Sequence, residues 1–288
     1  MKSINHNTFA DRLRGYAKHP FSGFLFLLVT LSALLTFAVL LFLIGYILAK
    51  GVPHINIGLF AWQYNTENVS LMPAMINTVV MTFLSLLIAG PLGIFSAIYL
   101  AEYAGKGNKL VAAVRTTAET LSGIPSIVYG LFGLLFFVTT LGWGYSILAG
   151  AFTLSIMILP LIMRTTEEAL LAVPDSYREG AFALGAGRLR TVFRIVLPSA
   201  VPGILAGIIL AVGRIVGETA ALIYTAGTVA HVPDNVMSSG RTLAIHMYAL
   251  SSEGLYTDQA YATAVVLLAI VIGINWLSGY VARKVGKG

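Results

Sequence analysis

The stretch Ser176-Tyr-Arg-Glu-Gly-Ala-Phe-Ala-Leu-Gly185, followed after nine residues by Ile195-Val-Leu-Pro198, is a polar segment inside an otherwise apolar chain. Ser176 and Glu179 form the Ser-x-x-Glu pattern of a capping box, in which each side chain satisfies an exposed backbone amide of the first helical turn. Gly185 is suited to end such a helix in a left-handed conformation. The pattern predicts a short helix here, between two long hydrophobic runs. A membrane protein with such a loop is expected to present a docking surface to a soluble partner.

The composition predicts a polytopic membrane protein surrounded by lipid. Of the 288 residues, 57% are hydrophobic and 10% are charged, against about 25% charged in an average soluble protein. The net charge of +6 is explained by basic loops on one side of a membrane, and it does not require a nucleic-acid partner. Cysteine is absent, which excludes disulfides and thiolate metal sites.

Uninterrupted runs without Asp, Glu, Lys or Arg mark the membrane segments. The runs are 19–49, 68–101, 120–163, 195–213 and 259–282. The third has 44 residues, roughly twice the ~20 that a helix needs to cross hydrocarbon. Gly142-Trp-Gly144 near its middle is a suitable turn, so this run is divided into two spans.

The sequence therefore predicts an all-α membrane protein with six transmembrane helices. The predicted spans are about 22–49, 71–101, 116–140, 146–166, 195–230 and 259–282. Residues 1–20 are predicted to be a cytoplasmic N-terminal segment, residues 21–283 the transmembrane domain, and residues 173–194 a polar loop between the fourth and fifth spans.

The basic residues are distributed asymmetrically between the two sides of this arrangement. Fifteen of the 18 lie in the terminal segments or in the loops 102–119 and 164–194. The opposite side has Lys50 and Arg241, and Arg214 lies within a span. Because cytoplasmic loops carry an excess of Lys and Arg, both termini are predicted to be cytoplasmic.

Charged residues inside the predicted spans are candidates for a solute pathway, since intramembrane charges are costly and usually face a cavity or a partner. Arg214 and Glu218 are four residues apart, so on one helix they would share a face and could pair. Two alternatives remain open: a purely structural pair, or an Arg214 that offers a fork of donors to an oxyanion and is partly neutralised by Glu218. Arg164, at the end of the fourth span, is a second candidate.

The register of the polar loop resembles the signature loop of ATP-binding-cassette (ABC) importer permeases. The matching residues are Glu179-Gly180-Ala181, then Gly185, Ile195 and Leu197-Pro198. Gly180 stands where the family usually has alanine, which weakens the local helix propensity by up to ~1 kcal/mol. The resemblance implies a type I ABC importer permease fold with a cytoplasmic coupling helix that docks on an ATPase subunit. It implies a coupling role for Ser176, Glu179, Gly180, Ala181, Gly185, Leu197 and Pro198.

Further motifs are similar to those of phosphate-specific ABC importer permeases of the A type. They are Ser122-Gly-Ile-Pro-Ser-Ile-Val-Tyr-Gly130, Leu159-Pro-Leu-Ile-Met-Arg-Thr-Thr-Glu167, Arg214-Ile-Val-Gly-Glu-Thr-Ala220 and Gly240-Arg-Thr-Leu-Ala-Ile-His-Met-Tyr248. This resemblance implies phosphate import across a bacterial inner membrane, with Arg164, Arg214, Glu218 and Thr219 along the pathway. The implied partners are an ABC ATPase dimer, a C-type permease subunit that completes a heterodimer, and an extracytoplasmic phosphate-binding protein.

Motifs for catalysis and for metal binding are missing from the sequence. The nearest match to a phosphate-gripping Gly-x-x-x-x-Gly-Lys motif, Gly180 to Gly185, is followed by Ala186, so ATP and magnesium are expected on the partner ATPase. The five histidines show no metal-ligand spacing, so no metal site is expected. The alternatives left open are a permease for another oxyanion such as sulfate or molybdate, a channel or secondary transporter that works alone, and a membrane enzyme.

Overall fold

The computed structural model describes residues 20–105 and 107–285, and in this part of the chain all regular structure is helical. The chain divides into two compact units, with the boundary after Lys50. The first is represented by helix α1 (Pro20–Gly51). Its 32 residues extend ~48 Å, more than the ~30 Å of bilayer hydrocarbon. The predicted first span lies inside this helix, and residues 1–19 of the predicted N-terminal segment lie outside the described residues.

The second unit is a bundle of helices of very different lengths. In chain order they are α2 (Met72–Ile98), α3 (Lys109–Ser122), α4 (Ser126–Gly133), α5 (Ile147–Leu171), α6 (Asp175–Ala183), α7 (Arg188–Thr191), α8 (Leu197–Val216), α9 (Ala220–Ile223), α10 (Leu243–Glu253) and α11 (Thr257–Val285). Wider π-helical turns extend α2 over Tyr99–Tyr103 and α4 over Leu134–Thr140, and Val192–Val196 joins α7 to α8.

Five helical segments of the described chain are long and apolar enough to cross a membrane, and a sharply bent helix pair makes a sixth. This agrees with the predicted fold class, an all-α membrane protein with six spans. The predicted turn in the long apolar run is also present, because Gly142 and Gly144 adopt φ angles of 68° and 65°. Such angles are readily available only to glycine.

The core of the second unit lies where α2 crosses α5. Gly93 of α2 lies so close to Ile162 that an added Cβ would be 2.8 Å from the Ile162 side chain. The Ser85 hydroxyl donates to the Ala151 carbonyl, and the Ser155 hydroxyl donates to the Ser85 carbonyl. Small residues therefore bring the two backbones together, and their hydroxyl groups are satisfied across the interface, as is common between membrane helices.

The third span differs from the single helix predicted over 116–140. Helices α3 and α4, the latter with its π-helical extension, meet at an angle of 101° across a break at residues 123–125. Pro125 has no N–H to continue a helical ladder, and its ring disfavours the helical conformation of the preceding residue. The basic residues Lys109 and Arg115, predicted to lie in a loop, are therefore on helix α3.

The fifth span also differs from its predicted bounds of 195–230. The continuous helical segment begins at Arg188 and ends at Val216. After Gly217 the chain leaves the helix at Glu218 and Thr219 and resumes as the single turn α9. The polar residues following Arg214 thus lie on a connection and not on the same helix.

The glycines Gly203, Gly207 and Gly213 of α8 have different environments. Added Cβ atoms at Gly203 and Gly207 would lie 2.6 Å from the Ala169 Cβ and 2.7 Å from the Thr165 Cβ. An added Cβ at Gly213 would meet nothing within 4 Å. Close approach of α8 to α5 therefore depends on Gly203 and Gly207.

We expect Gly203→Ala to destabilise the bundle by about 1–3 kcal/mol, because the new methyl group overpacks the interface of α8 with α5. The matched control Gly213→Ala should be neutral or slightly stabilising, since alanine favours a helix and the position is open. Thermal unfolding of the purified protein in detergent measures both effects. Equal melting temperatures for the two variants would contradict this account of the interface.

Candidate functional site

Helix α6 forms the centre of the predicted docking loop, but its first turn differs from the predicted capping box. The helix begins at Asp175 after Pro174, and no side chain caps its first turn. Ser176 and Glu179 are both exposed, so the reciprocal hydrogen bonds expected of them are absent. Pro174 already occupies the N-cap position, so Ser176 is the second residue of the helix, two positions too far along the chain to act as a cap.

The end of α6 agrees with the prediction. Gly185 has a φ of 80°. Its N–H donates to the Phe182 carbonyl at 2.9 Å, and the Ala186 N–H donates to the Ala181 carbonyl at 3.0 Å. These two bonds constitute a Schellman motif, in which a left-handed glycine closes the helix.

Three large apolar side chains on α6 and directly after its C-terminal end are accessible. Tyr177 and Phe182 are about half exposed, and Leu184 is 91% exposed. Glu179 and Gly180 lie on this open surface, whereas Ala181 is buried. Clustered exposed apolar side chains of this kind are typical of a protein–protein contact.

The inner face of α6 is held by Arg178. Its Nε and Nη2 atoms donate to the Glu102 carboxylate at 3.2 and 2.7 Å. Nη2 also donates to the Leu170 carbonyl, and Nη1 donates to the Val173 carbonyl and to Asp175 Oδ1. A guanidinium has five N–H groups, and all five have acceptors here. The side chains of Arg178 and Glu102 are only 15% and 8% exposed.

This arrangement, which we call the Arg178 fork, joins three elements. Glu102 lies in the π-helical extension of α2, and the two carbonyls belong to the end of α5 and to the second residue after it. A cation is favourable at a helix C-terminus, where carbonyl groups lack helical partners. The hydrogen bond with Glu102 is the largest cause of a raised Arg178 pKa, so the guanidinium remains charged. Lysine has only three donors and no planar fork, so it cannot reproduce this set.

Beside the same end of the bundle, α3 and α5 line a cavity of about 510 Å³. Its charged lining residues are Arg115, Glu119, Arg164, Glu167 and Glu168. Arg115 Nε donates to Glu167 at 2.8 Å, and Arg164 Nε donates to Glu168 at 3.0 Å. Two arginines and three glutamates give the lining a formal charge of −1. Arg164, a predicted pathway residue, is thus exposed in a charged cavity and already has an anionic partner.

Arg214 and Glu218 do not form the ion pair that their spacing predicted. Because α8 ends at Val216, Glu218 is rotated away from the helix face of Arg214. The buried Glu218 instead accepts a hydrogen bond from the Ala221 N–H at 3.0 Å and so supports α9. Thr219 is half-buried at the same connection. Arg214 is half-buried and makes no ion pair or hydrogen bond with the described residues.

The structure separates the predicted site residues into different regions. Arg164 lines the charged cavity, whereas Arg214, Glu218 and Thr219 are not among the residues that line it. Leu197 and Pro198 lie on the helix that follows the loop, with Leu197 packed on a buried cluster below α6. Sequence reasoning missed Glu102 and the Arg115–Glu167 pair. Glu102 could have been noticed in the sequence because it is the first charged residue after 34 uncharged ones. That position alone does not predict which residue it pairs with.

Comparison with known proteins identifies related chains along most of the sequence. Residues 89–287 match the family model described as binding-protein-dependent transport system inner membrane component. The chain is 35% identical over 281 residues to the probable ABC transporter permease protein YqgI of Bacillus subtilis (strain 168), covering 88% of this chain and 94% of that protein. It is 37% identical over 247 residues to the phosphate transport system permease protein PstA 2 of Mycobacterium bovis, covering 82% and 81%.

Solved structures share the fold at low sequence identity. A chain of a bacterial alginate ABC transporter, crystallised with an alginate-bound periplasmic protein, has a TM-score of 0.66 and 18% identity, covering 94% of this chain and 98% of that one. A chain of the MetNI methionine ABC transporter in an inward-facing conformation has a TM-score of 0.59 and 21% identity, covering 75% and 94%.

We expect Arg178→Lys to loosen α6, because at least two of the five donated hydrogen bonds are lost at a buried position. The loss of about 1–3 kcal/mol of local stability would raise amide hydrogen exchange across residues 175–185 by about 5- to 150-fold. Asp175→Asn is the matched control, since this carboxylate is 87% exposed and contributes a single bond. Unchanged exchange in the lysine variant would show that the fork does not hold the helix.

Proposed function

This chain belongs to the family of binding-protein-dependent transport system inner membrane components, and we propose that it imports inorganic phosphate as one permease subunit of an ATP-driven transporter. The family match covers more than half of the chain, and the resemblance drawn from the loop register is thereby confirmed. The protein is a multi-pass inner-membrane transport component. Phosphate as the cargo is supported by the 37% identity to a protein named as a phosphate transport permease.

The observation that carries the coupling role is the two-sided construction of α6. Its accessible surface, including Tyr177, Phe182 and the adjoining Leu184, is open to a partner, whereas its Arg178 side is bonded through the Arg178 fork to α2 and α5. A load applied to the accessible surface therefore reaches two membrane helices through buried, charge-assisted bonds, which are stronger than neutral ones. We infer that the partner on this face is an ABC ATPase dimer.

Transport then proceeds by alternating access. ATP-driven closure of the ATPase dimer displaces the loop 173–194, and the bundle moves between outward-facing and inward-facing states. ATP and magnesium are held by the partner. The other inferred partners are a second permease of the C type and an extracytoplasmic phosphate-binding protein that delivers the cargo. The basic loops favour cytoplasmic termini and a cytoplasmic α6.

The two arginines of this chain along the proposed pathway differ in whether a carboxylate neutralises their charge. Arg214 is half-buried and has no anionic partner among the described residues, so its donors are free for an oxyanion. Arg164 is paired with Glu168 in a cavity of net negative lining. An oxyanion is attracted by the unpaired Arg214 and held less firmly by the paired Arg164. This difference suits entry of the anion at Arg214 and its release at Arg164. Glu218 and Thr219 maintain the connection beside Arg214.

Reconstituted vesicles containing both permeases and the ATPase test the proposal. Phosphate uptake should require ATP, the binding protein and an intact loop 173–194. Uptake without ATPase would favour a stand-alone transporter. Uptake of sulfate or molybdate but not of phosphate would keep the permease role and reject the cargo.

Arg214→Gln is expected to lower phosphate uptake at least tenfold, because glutamine removes the positive charge while retaining a polar side chain. Assembly with the partner subunits should be unchanged, as this side chain makes no ion pair or hydrogen bond in the described structure. Uptake of labelled phosphate and co-purification measure the two effects. Wild-type uptake by the variant would remove Arg214 from the pathway.

Gly185→Asp is expected to uncouple or detach the ATPase. The left-handed φ of 80° disfavours a side chain by about 1–2 kcal/mol, and the added anion lies at the negative end of the α6 dipole. Gly180→Ala is the control: Gly180 lies on the docking helix itself, but its position is open and alanine is the usual residue of the family there, so docking should be retained. Co-purification and the ratio of phosphate transported to ATP hydrolysed are measured. An unchanged ratio in Gly185→Asp would argue against the coupling role.

A further inference from the structure

A cluster of unpaired polar groups lies at the opposite end of α2 from the Arg178 fork. In the described part of the chain, eight buried side-chain nitrogen and oxygen atoms lack a hydrogen-bond partner. Five of the eight belong to three neighbouring residues of one segment: Nε and Nη2 of Arg241, Oγ1 of Thr242, and both ring nitrogens of His246. Buried polar atoms are nearly always satisfied in native proteins, so this concentration requires an explanation.

Arg241 is the charged member of the cluster. It is only 5% exposed and has no carboxylate within 4.0 Å among the described residues. The ring of Tyr64 lies over the guanidinium, with the Tyr64 centroid 4.7 Å from Cζ. A cation–π contact offsets only part of the cost of burying a charge, which is normally compensated by an ion pair.

The position of the guanidinium is set by the backbone around it. Asn77 Nδ2 donates to the Arg241 carbonyl at 3.2 Å and to the His231 carbonyl at 3.1 Å. The Leu243 N–H donates to Thr78 Oγ1 at 2.8 Å. The first turns of α2 therefore hold the backbone of the segment that carries Arg241 and the start of α10, and the guanidinium itself packs against the Tyr64 ring.

We propose that Arg241 is the centre of an oxyanion subsite that phosphate occupies on its way into the permease. The unpaired atoms Nε and Nη2 lie on the same edge of the guanidinium, and this edge binds carboxylate or phosphate oxygens in a bidentate manner. The Thr242 hydroxyl and one N–H of His246 supply further donors. This inference rests on the proposed function and extends it to the end of the bundle remote from the coupling loop.

His246 contributes as a neutral donor. Its pKa is lowered to about 3, chiefly by burial and secondly by the nearby positive charge of Arg241. The imidazole is therefore uncharged at physiological pH. Its ring lies close to the Val69 backbone, but neither nitrogen completes a hydrogen bond of normal geometry. The cluster thus has a single positive charge, which attracts an anion without holding two cations side by side.

Tyr64 is suited to cover the subsite. It is half-buried and lines a cavity of about 380 Å³ together with Trp62, Gln63 and His231, so its ring contacts both the open cavity and Arg241. The segment that carries Tyr64 includes Val69, whose φ of 45° is an unfavourable angle for a β-branched residue. Rotation of the Tyr64 ring would connect the cavity with the free edge of Arg241.

The subsite and the Arg178 fork lie at the two ends of one helix. Asn77 and Glu102 are separated by 25 positions, which corresponds to ~38 Å along a helix. Because α2 positions the backbone of Arg241 at one end and is bonded to α6 at the other, movement of the loop 173–194 is transmitted directly to the subsite. An anion bound there can therefore be released in step with ATP hydrolysis.

Arginine modification by phenylglyoxal in the assembled transporter tests the subsite. Peptide mass spectrometry follows Arg241 in the wild type, in Tyr64→Phe, which retains the ring, and in Tyr64→Ala, which removes the cover. We expect slow modification in the first two and at least fivefold faster modification in the third. Inorganic phosphate at millimolar concentration should slow the Tyr64→Ala reaction at least fivefold relative to chloride at equal ionic strength. An arginine-containing peptide added in solution serves as the unprotected reference.

Absence of phosphate protection at Arg241, with the reference peptide modified at an unchanged rate, would overturn the subsite and leave the proposed function intact. Protection by sulfate but not by phosphate would support an oxyanion subsite and reject phosphate as its ligand. As a second measurement, Arg241→Lys retains the charge but loses the bidentate edge, and it should lower phosphate uptake at least fivefold in a complex that still assembles. Uptake equal to the wild type would also overturn the proposal.

Discussion

Hydrocarbon offers no hydrogen-bond partner to a peptide group, and this constraint governs the architecture of the chain. Each backbone amide within the bilayer must be satisfied by the protein itself, which requires helices. The helices of the described chain are nevertheless interrupted at several points. Examples are the break at residues 123–125 and the connection after Val216, where Glu218 accepts the Ala221 N–H. These departures place the side chains on which function depends.

The charged groups of the described chain are organised by the same constraint. A charge away from bulk water must be paired, hydrogen-bonded or left available to a ligand. Arg178 is fully satisfied and joins three elements, and Arg115 is paired with Glu167. Arg214 and Arg241 lack anionic partners. In the function proposed above, Arg178 transmits force to the bundle, whereas Arg214 and Arg241 are available to an anion.

Sequence reasoning was most successful where the pattern is local. The apolar runs, the turn at Gly142–Gly144 and the left-handed Gly185 all follow from the chemistry of a few adjacent residues, and the structure contains them. The family resemblance rested on the spacing between Glu179 and Pro198, and the comparisons agree with it. Sequence reasoning was least successful where the same local pattern is compatible with two different structures. The capping box failed because Pro174 took the cap position, and the Arg214–Glu218 pair failed because the helix ended between the two residues.

The sequence by itself determined the membrane class, the number of spans, the docking loop and the family, because each depends on composition or on short-range spacing. Only the tertiary structure decided which charges meet. Glu102 and Arg178 are 76 positions apart, and Tyr64 and Arg241 are farther apart still. No periodicity links such residues, because their contact depends on the packing of α2 against α5 and on the course of the connections. Electrostatic partners inside a low-dielectric bundle are therefore a property of the fold.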